Sequence, residues 1–261
     1  HTRALFARLP TYTVVDDHEY GDNWSGAVDA SQDACFVHGF EAALAYQSRW
    51  ADGPAPRYHS TPAIRGTQVI GFWSAFQVGG VPFFAADTRS ERELRTLDTW
   101  RTRRMMGDAQ LHALKTWLLE HRDIPKVLCS GSVFGFVERG LPGALDTCRL
   151  VDSWSGYPAT WRELVHFIVA EQIQHLVFLS GDYHFSALSE LELRGDGTHP
   201  PVRALSVACS GWNASLPFAN SVPQDFVMEQ PVDYPLGDDF ASIRCLATPM
   251  STAHRQFSKL T

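Results

Sequence analysis

The sequence lacks the features that mark several large classes of protein. Its 22 lysines and arginines stand against 29 acidic residues, giving a formal charge of −7, and it has no long basic run. This balance offers no patch for nucleic acid or for an anionic membrane surface. The longest apolar runs, such as HLVFLSG and VPFFAA, are far shorter than the roughly 20 residues that a membrane-spanning helix needs. No membrane span is therefore expected.

Common cysteine and active-site signatures are also missing. The five cysteines are an odd number at wide spacing without a Cys-x-x-Cys pair, so neither a disulfide framework nor a zinc ribbon is expected. The Gly-x-Ser-x-Gly elbow, the phosphate-binding loop with its lysine and the His-Glu-x-x-His helix do not occur. The first residues have neither a secretory-signal layout nor an initiating methionine, so a mature product or a fragment is expected and the compartment is not indicated.

The composition and the apolar spacing of the sequence predict one α/β domain. Hydrophobic residues make up 44% of the 261, and no repeat or low-complexity segment divides the chain, so residues 1–261 are predicted to form a single domain. Apolar spacing predicts helices at 29–50, 107–121 and 161–174, with the end of another at 3–9. Strands are predicted at 12–15, 69–78, 81–86, 126–129, 175–180, 187–193, 202–209 and 242–247. Such alternation predicts helices layered on a mixed sheet or on two packed sheets.

Two polar motifs directly follow predicted strands. Asp16-Asp17-His18-Glu19 follows one strand and Gly181-Asp182-Tyr183-His184 follows another. Sites in such folds collect beyond the carboxyl ends of strands, and carboxylate oxygens with imidazole nitrogens suit divalent or trivalent metals. With Asn23 as a further oxygen donor, the motifs predict a metal site whose candidate ligands are Asp16, Asp17, Asn23, Asp182 and His184.

Each motif also fits a plainer structure. Paired aspartates after a strand often form a solvated turn or a helix cap, and small-residue turns are usually only turns. Arg89, after another predicted strand, could grip a phosphate with Asp87 orienting its planar fork, or the two could be a structural pair beneath a loop. The turns at Ser132 and Ser210 leave open a metal-free esterase, whose activity would survive chelation.

Five blocks of sequence occur in the order found in a known family. They are VVDDHEYGDNW, FFAADTRSER, MMGDAQLHALKTWL, DSWSGYPATWREL and VFLSGDYHF, and they span most of residues 5–195. On these blocks the chain resembles the PhoD-like metallophosphatases, the alkaline phosphatase D group of the calcineurin-like phosphoesterase superfamily. The resemblance implies a sandwich of two mixed β-sheets flanked by helices, with a multinuclear metal centre at the loop ends.

The resemblance also implies an activity and the residues that carry it. Such proteins hydrolyse small phosphomonoesters and often phosphodiesters with iron and calcium, or with manganese, zinc or magnesium, a metal-bound hydroxide attacking phosphorus. By this likeness Asp17 stands where the superfamily has a metal-binding asparagine, and Asp182 and His184 are closing ligands. Asn23 would add an oxygen ligand, while His18 and Arg89 would stabilise the charge of the departing group and of the phosphoryl oxygens.

One departure concerns the region before the first block. Family members carry there a strand that ends in an aspartate ligand and a Gly-Asp-x-x-Tyr segment, and neither precedes Asp16 here. The chain is therefore expected to be the C-terminal portion of such a domain, incomplete at its N-terminus. The alternative hypothesis is an inactive remnant that serves as a binding or structural module. Physiological substrate, ester preference, oligomeric state and compartment are left open, although family members are often exported.

Overall fold

The described part of the chain contains the elements that position the candidate site. The structure, a computed structural model, describes residues 8, 11–48, 72–135, 152–182, 186–209, 231–236 and 241–252. His184, Ser210 and the predicted loop at 52–67 lie outside the described residues, as does most of the predicted helix end at 3–9. Within the described residues, no helix is long and apolar enough to cross a membrane.

Helices and strands alternate through the middle of the chain and give way to strands. The described α-helices are α1 (Ala34–Ser48), α2 (Asp108–Glu120) and α3 (Pro158–Ala170). The described strands are β1 (Ser74–Val78), β2 (Val81–Ala86), β3 (Lys126–Ser130), β4 (Leu176–Ser180), β5 (Ser186–Arg194), β6 (Val202–Ala208), β7 (Val232–Pro235) and β8 (Ser242–Thr252). Short 3-10 turns lie at Asp17–Glu19, Ala30–Gln32 and Trp154–Gly156.

The described strands form one eight-stranded mixed sheet in the order β1-β2-β3-β4-β6-β5-β8-β7. β2, β3, β4 and β6 run parallel to one another, whereas β1 pairs antiparallel with β2, and β5, β8 and β7 extend the other side in antiparallel pairs. Parallel neighbours need long crossover connections, and here α2 and α3 supply them between β2, β3 and β4. The predicted α/β class, with helices flanking a mixed sheet, is confirmed.

The helices cover the sheet through the apolar faces that their sequences predict. In α2 the buried positions include Leu111, Leu114 and Leu118, spaced three and four residues apart. The sheet supplies alternate positions, since Leu176 and Phe178 of β4 are buried one strand repeat apart. These side chains belong to one core that also includes residues of α3, β2, β3, β5 and β6.

The predicted strand at 12–15 is wrong, because residues 11–16 join no strand of the sheet. Val15 is nevertheless buried, and the Tyr12 ring stacks on Phe76 of β1 with centroids 4.0 Å apart. Tyr12 is 42% exposed, so the apolar run marks side chains that pack on the protein but supplies no ladder partner. This segment packs through its side chains and carries the first acidic motif to the sheet.

Two helix boundaries also differ from the prediction for local reasons. α1 begins at Ala34 and not at 29, because the Asp33 carboxylate accepts the Phe36 N–H at 3.0 Å and so caps the helix there. α3 begins three residues earlier than predicted, at Pro158, where the fixed backbone of proline suits the first turn of a helix. Both signals act at one residue and are weaker than apolar periodicity.

Truncation of one buried leucine in α2 tests this packing. We expect Leu114→Ala, at a position with no exposed surface, to lower the free energy of unfolding by about 2–5 kcal/mol, because it removes methyl groups and leaves a cavity. Leu119→Ala in the same helix, at a position 40% exposed, should change it by less than about 1 kcal/mol. Urea denaturation measures both, and equal losses would contradict the described orientation of α2.

Candidate metal centre

Three neighbouring parallel strands deliver the loops of the site to one edge of the sheet. β2, β3 and β4 end at Ala86, Ser130 and Ser180, and these residues lie side by side in the ladder. Asp87 follows the first strand, Gly131 the second and Asp182 lies just beyond the third. The residues after these strands therefore meet at the carboxyl edge, as the sequence predicts.

The loop with the first acidic motif lies across this edge, and Gly131 makes room for it. A Cβ atom at Gly131 would stand 2.7 Å from Asp16 Oδ1 and 3.2 Å from the Val15 carbonyl oxygen. Both distances are too short for an undisturbed neighbour. The absence of a side chain in this turn therefore lets Asp16 approach the end of β3.

Three carboxylates converge at this point. Oxygen atoms of Asp16, Asp17 and Asp182 all lie within 4.8 Å of one another. Asp17 is buried, and the Asp182 side chain is only 11% exposed. Asp182 also has a φ of +72°, a left-handed conformation that is uncommon for a residue with a side chain, although aspartate adopts it more readily than most.

The cluster carries negative charge that its protein neighbours do not fully balance. Burial, followed by repulsion from Asp16 and Asp152, raises the pKa of Asp182 from 3.8 to about 8. Burial also raises the pKa of Asp16, against the attraction of Arg89. Asp182 Oδ2 is buried without a hydrogen-bond partner, and Arg89 Nη2 lies 3.7 Å from it. Converging oxygen donors with unmatched charge fit a divalent or trivalent cation.

A second group of candidate ligands shares Asp17 with the first. The ligand atoms of Asp17, His18 and Asp22 also lie within 4.8 Å of one another. His18 Nε2 is 3.9 Å from Asp17 Oδ2 and 3.8 Å from Asp22 Oδ1, with the His18 and Asp22 side chains 74% and 78% exposed. Asp17 thus belongs both to a largely shielded group of candidate ligands and to a solvent-facing one.

The remaining polar residues of the first motif hold this loop in shape. The Glu19 carboxylate accepts the Asp16 N–H at 2.8 Å and closes the short 3-10 turn. Asn23, with a φ of +53°, donates its backbone N–H to Asp17 Oδ2 at 2.8 Å. Asn23 therefore binds Asp17 through its backbone, and its role as an oxygen ligand stays a prediction.

Arg89 lies beneath the carboxylates with no exposed side-chain surface. Its Nε donates to Asp16 Oδ1 at 2.7 Å and its Nη1 to Asp152 Oδ1 at 2.5 Å. Asp87 does not orient this fork: its Oδ1 accepts the backbone N–H groups of Arg89 and Ser90, each at 2.9 Å. Asp87 shapes the turn, and Asp152 binds the guanidinium.

The sequence interpretation missed several residues that the fold brings into the site. Asp152 opens the quoted block DSWSGYPATWREL but received no role, and it lies 63 residues from its partner Arg89. Asp22 has no role in the sequence-based prediction, although its position four residues after His18 is a local signal. Gly131 has no predicted role either. Long-range contacts reveal Asp152 and Gly131, and no spacing rule does.

The fold and site define the class as an α/β protein with an acidic, candidate metal-binding centre at the carboxyl edge of its parallel strands. Comparison with known proteins narrows this class to one family. The sequence profile of the PhoD-like phosphatases matches residues 1–223, and the chain belongs to this family.

Two relatives show how far the likeness extends. The chain is 23% identical over 265 residues to alkaline phosphatase D of Bacillus subtilis (strain 168), a match that covers 95% of this chain and 44% of the relative. A solved structure, described as the structure of PhoD, is similar with a TM-score of 0.50 and 22% identity, over 75% of this chain and 38% of that chain. The structural likeness supports the shared fold. The chain spans less than half the length of either relative.

Replacing Asp182 by Asn tests whether the carboxylates repel one another without metal. Asn keeps the size of the side chain and tolerates a positive φ but does not ionise. Because the pKa of Asp182 is about 8 in the folded protein and near 3.8 when unperturbed, the metal-free wild type should lose stability as the pH rises from about 4 to about 8. We expect Asp182→Asn to exceed wild type in stability at pH 8 and to match it near pH 4.

Chemical denaturation of chelator-treated protein at the two pH values measures this difference. Added Mn²⁺ should reverse the order at pH 8, because an ion that binds only the folded state stabilises the wild type more than the variant. An Asp182→Asn protein no more stable than metal-free wild type at pH 8 would contradict the described electrostatics.

Proposed function

We propose that this chain carries the catalytic centre of a metal-dependent phosphoester hydrolase. The observation that carries the proposal is the convergence of Asp16, Asp17 and Asp182 in a chain of the PhoD-like phosphatase family. Family membership supports phosphoester hydrolysis, and the unmatched carboxylate charge supports metal dependence. Because the chain spans less than half of its relatives, the activity of a whole protein remains part of this proposal, as does its organisation as a single domain.

The proposed ligands are oxygen and nitrogen donors of the two motifs. Asp16, Asp17 and Asp182 would hold the buried ion, and Asn23 and His184 are further proposed ligands. Such a donor set suits iron with calcium, or manganese, zinc or magnesium, as the resemblance implies. An ion bound there would polarise a phosphoryl oxygen and lower the pKa of a water molecule.

The residues around the cluster have different proposed roles, according to how far each is exposed to solvent. Asp17 and Asp182 are shielded from solvent, which strengthens their attraction for a cation. His18 lies at the open side, where an imidazole N–H can donate to the oxygen of a departing alcohol. The absence of a basic run in the sequence favours a small phosphate ester over a polyanion.

Chelation tests the proposed metal dependence. We expect chelator-treated protein to lose hydrolysis of para-nitrophenyl phosphate and of its bis ester, and to regain it with Mn²⁺, or with Fe²⁺ and Ca²⁺ together. The ratio of the two rates will decide between monoester and diester preference. Full activity after complete metal removal would exclude this mechanism and favour a metal-free esterase. No hydrolysis with any of these ions, by protein that binds them, would favour a binding module.

Removal of the His18 imidazole tests its place at the leaving group. We expect His18→Ala to lower kcat about 100-fold, because loss of one group that stabilises developing charge has this order of effect. Stability should change little, since the side chain is exposed. His112→Ala, which truncates an exposed histidine on α2, is the matched control and should keep wild-type kcat. Less than tenfold loss even in a His18→Ala and Asp182→Ala double variant would contradict the proposed centre.

A further inference from the structure

The position of Arg89 differs from that of an arginine that grips a substrate. Its side chain has no exposed surface, and its hydrogen bonds go to protein acceptors: Asp16, Asp152 and the Trp24 carbonyl oxygen, the last at 3.4 Å. Its Nη2 makes no hydrogen bond but is buried between Asp16 and Asp182, so a phosphate could reach the guanidinium only if a carboxylate paired with it moved away. Breaking such a buried, charge-assisted pair leaves an uncompensated charge, which is strongly unfavourable.

The contact between Arg89 and Asp16 fixes one oxygen of the carboxylate. Nε and Nη2 of Arg89 lie 2.7 and 2.6 Å from the same atom, Asp16 Oδ1. The Nε hydrogen bond fixes Oδ1, and the close ion pair with Nη2, which makes no hydrogen bond of its own, keeps the positive charge beside the same atom. Oδ2 is left as the oxygen that can turn to a cation. The same Nη2 is 3.7 Å from Asp182 Oδ2. One guanidinium therefore lies against two of the three converging carboxylates.

A second layer of contacts fixes Arg89 in turn. Asp152 Oδ1 accepts Nη1 of Arg89 and Nη1 of Arg92, each at 2.5 Å. Arg92 also donates through Nη2 to Ser132 Oγ at 2.6 Å and to the Asp152 carbonyl oxygen at 2.9 Å. Arg92 thus holds Asp152, and its other hydrogen bonds go to Ser132 and to the carbonyl oxygens of Thr88 and Trp24. The two arginine side chains are equally buried, but Arg89 pairs directly with Asp16 and Asp182.

We propose that Arg89 is a positioning residue, which orients Asp16 and Asp182 for a metal ion and does not contact the phosphate ester. The inference rests on the proposed function, because it assigns Arg89 a place within that metal centre. It replaces the direct charge-stabilising role that the family resemblance implies for Arg89. Partners of this kind, one step behind the ligands, commonly change metal affinity or activity 10- to 100-fold when altered.

One substitution made at three positions tests the proposal. Lysine keeps the positive charge of arginine but loses its planar fork, so Arg→Lys separates orientation from charge. The variants are Arg89→Lys, Arg92→Lys and Arg104→Lys. Arg92 is buried one layer behind Arg89, and Arg104 lies outside the site, where its Nη2 pairs with Glu163 at 3.2 Å. Calorimetric titration of metal-stripped protein with Mn²⁺ gives the affinity without substrate, and steady-state hydrolysis of para-nitrophenyl phosphate gives kcat and KM.

We expect Arg89→Lys to weaken Mn²⁺ binding about 10- to 100-fold. Its KM at saturating Mn²⁺ should stay at the wild-type value, and added Mn²⁺ should restore most of the lost kcat. Arg92→Lys should lower the melting temperature at least as much as Arg89→Lys does. It should weaken Mn²⁺ binding less than Arg89→Lys does. Arg104→Lys should match wild type in both affinity and kinetics. A loss of Mn²⁺ affinity in this order would show that affinity depends on contact with the carboxylates and not on general destabilisation of the fold.

Several results would overturn the inference. Normal Mn²⁺ affinity with a raised KM in Arg89→Lys would mean that Arg89 binds the ester. Equal losses of affinity in Arg89→Lys and Arg92→Lys would mean that buried charge pairs act only on stability. Wild-type protein that binds no Mn²⁺ would overturn the proposed function, and this inference with it, whereas normal binding by both wild type and Arg89→Lys overturns the inference alone.

Gly131→Ala provides a second test if Arg89→Lys does not fold. The added Cβ would stand 2.7 Å from Asp16 Oδ1, so it disturbs the same contact from the other side and leaves Arg89 intact. We expect a loss of Mn²⁺ affinity of the same order, with KM unchanged at saturating metal. A folded Gly131→Ala protein with wild-type affinity would contradict the role assigned to the contact between Arg89 and Asp16.

Discussion

Repulsion among the carboxylates of Asp16, Asp17 and Asp182 is the constraint on which the rest of the site depends. Their oxygens lie within 4.8 Å of one another, and the charges of Asp16 and Asp17 disfavour ionisation of Asp182. Arg89 offsets part of this charge through Asp16, yet the pKa of Asp182 remains raised, to about 8. Such a cluster destabilises the folded protein, and a bound cation would offset the repulsion, which supports the proposed function.

The surrounding fold holds these charges together against that repulsion. The Trp24 carbonyl oxygen accepts from both Arg89 and Arg92, which fastens the acidic loop to the turn after β2. Two hydroxyl contacts support the same junction, between Tyr20 and Ser90 at 2.7 Å and from the Tyr157 hydroxyl to the Ser25 carbonyl oxygen at 2.8 Å. Residues distant in sequence therefore hold in place, through these hydrogen bonds, a loop that joins no strand of the sheet.

Local patterns predicted much of the fold and part of the site. Apolar periodicity indicated α2, α3 and the parallel strands, and the position of Asp182 beyond β4 placed it at the correct edge, because these properties depend on neighbouring residues. The orientation of Arg89 depends instead on Asp152, 63 residues away, and the approach of Asp16 depends on the missing side chain of Gly131. Such contacts exist only after the parallel strands have aligned, and residue spacing does not encode them. For the same reason, the apolar run at 12–15 predicted the burial of Val15 but wrongly predicted a strand.

The central claim is that the converging carboxylates form a metal centre, and an anomalous-difference map tests it most directly. Crystals of metal-stripped protein would be grown with Mn²⁺ and measured where manganese scatters anomalously. The account predicts a peak within coordination distance of Asp16, Asp17 and Asp182, and its absence in crystals of Asp182→Asn. Well-ordered wild-type carboxylates with no peak between them, or with the ion bound elsewhere, would contradict the account.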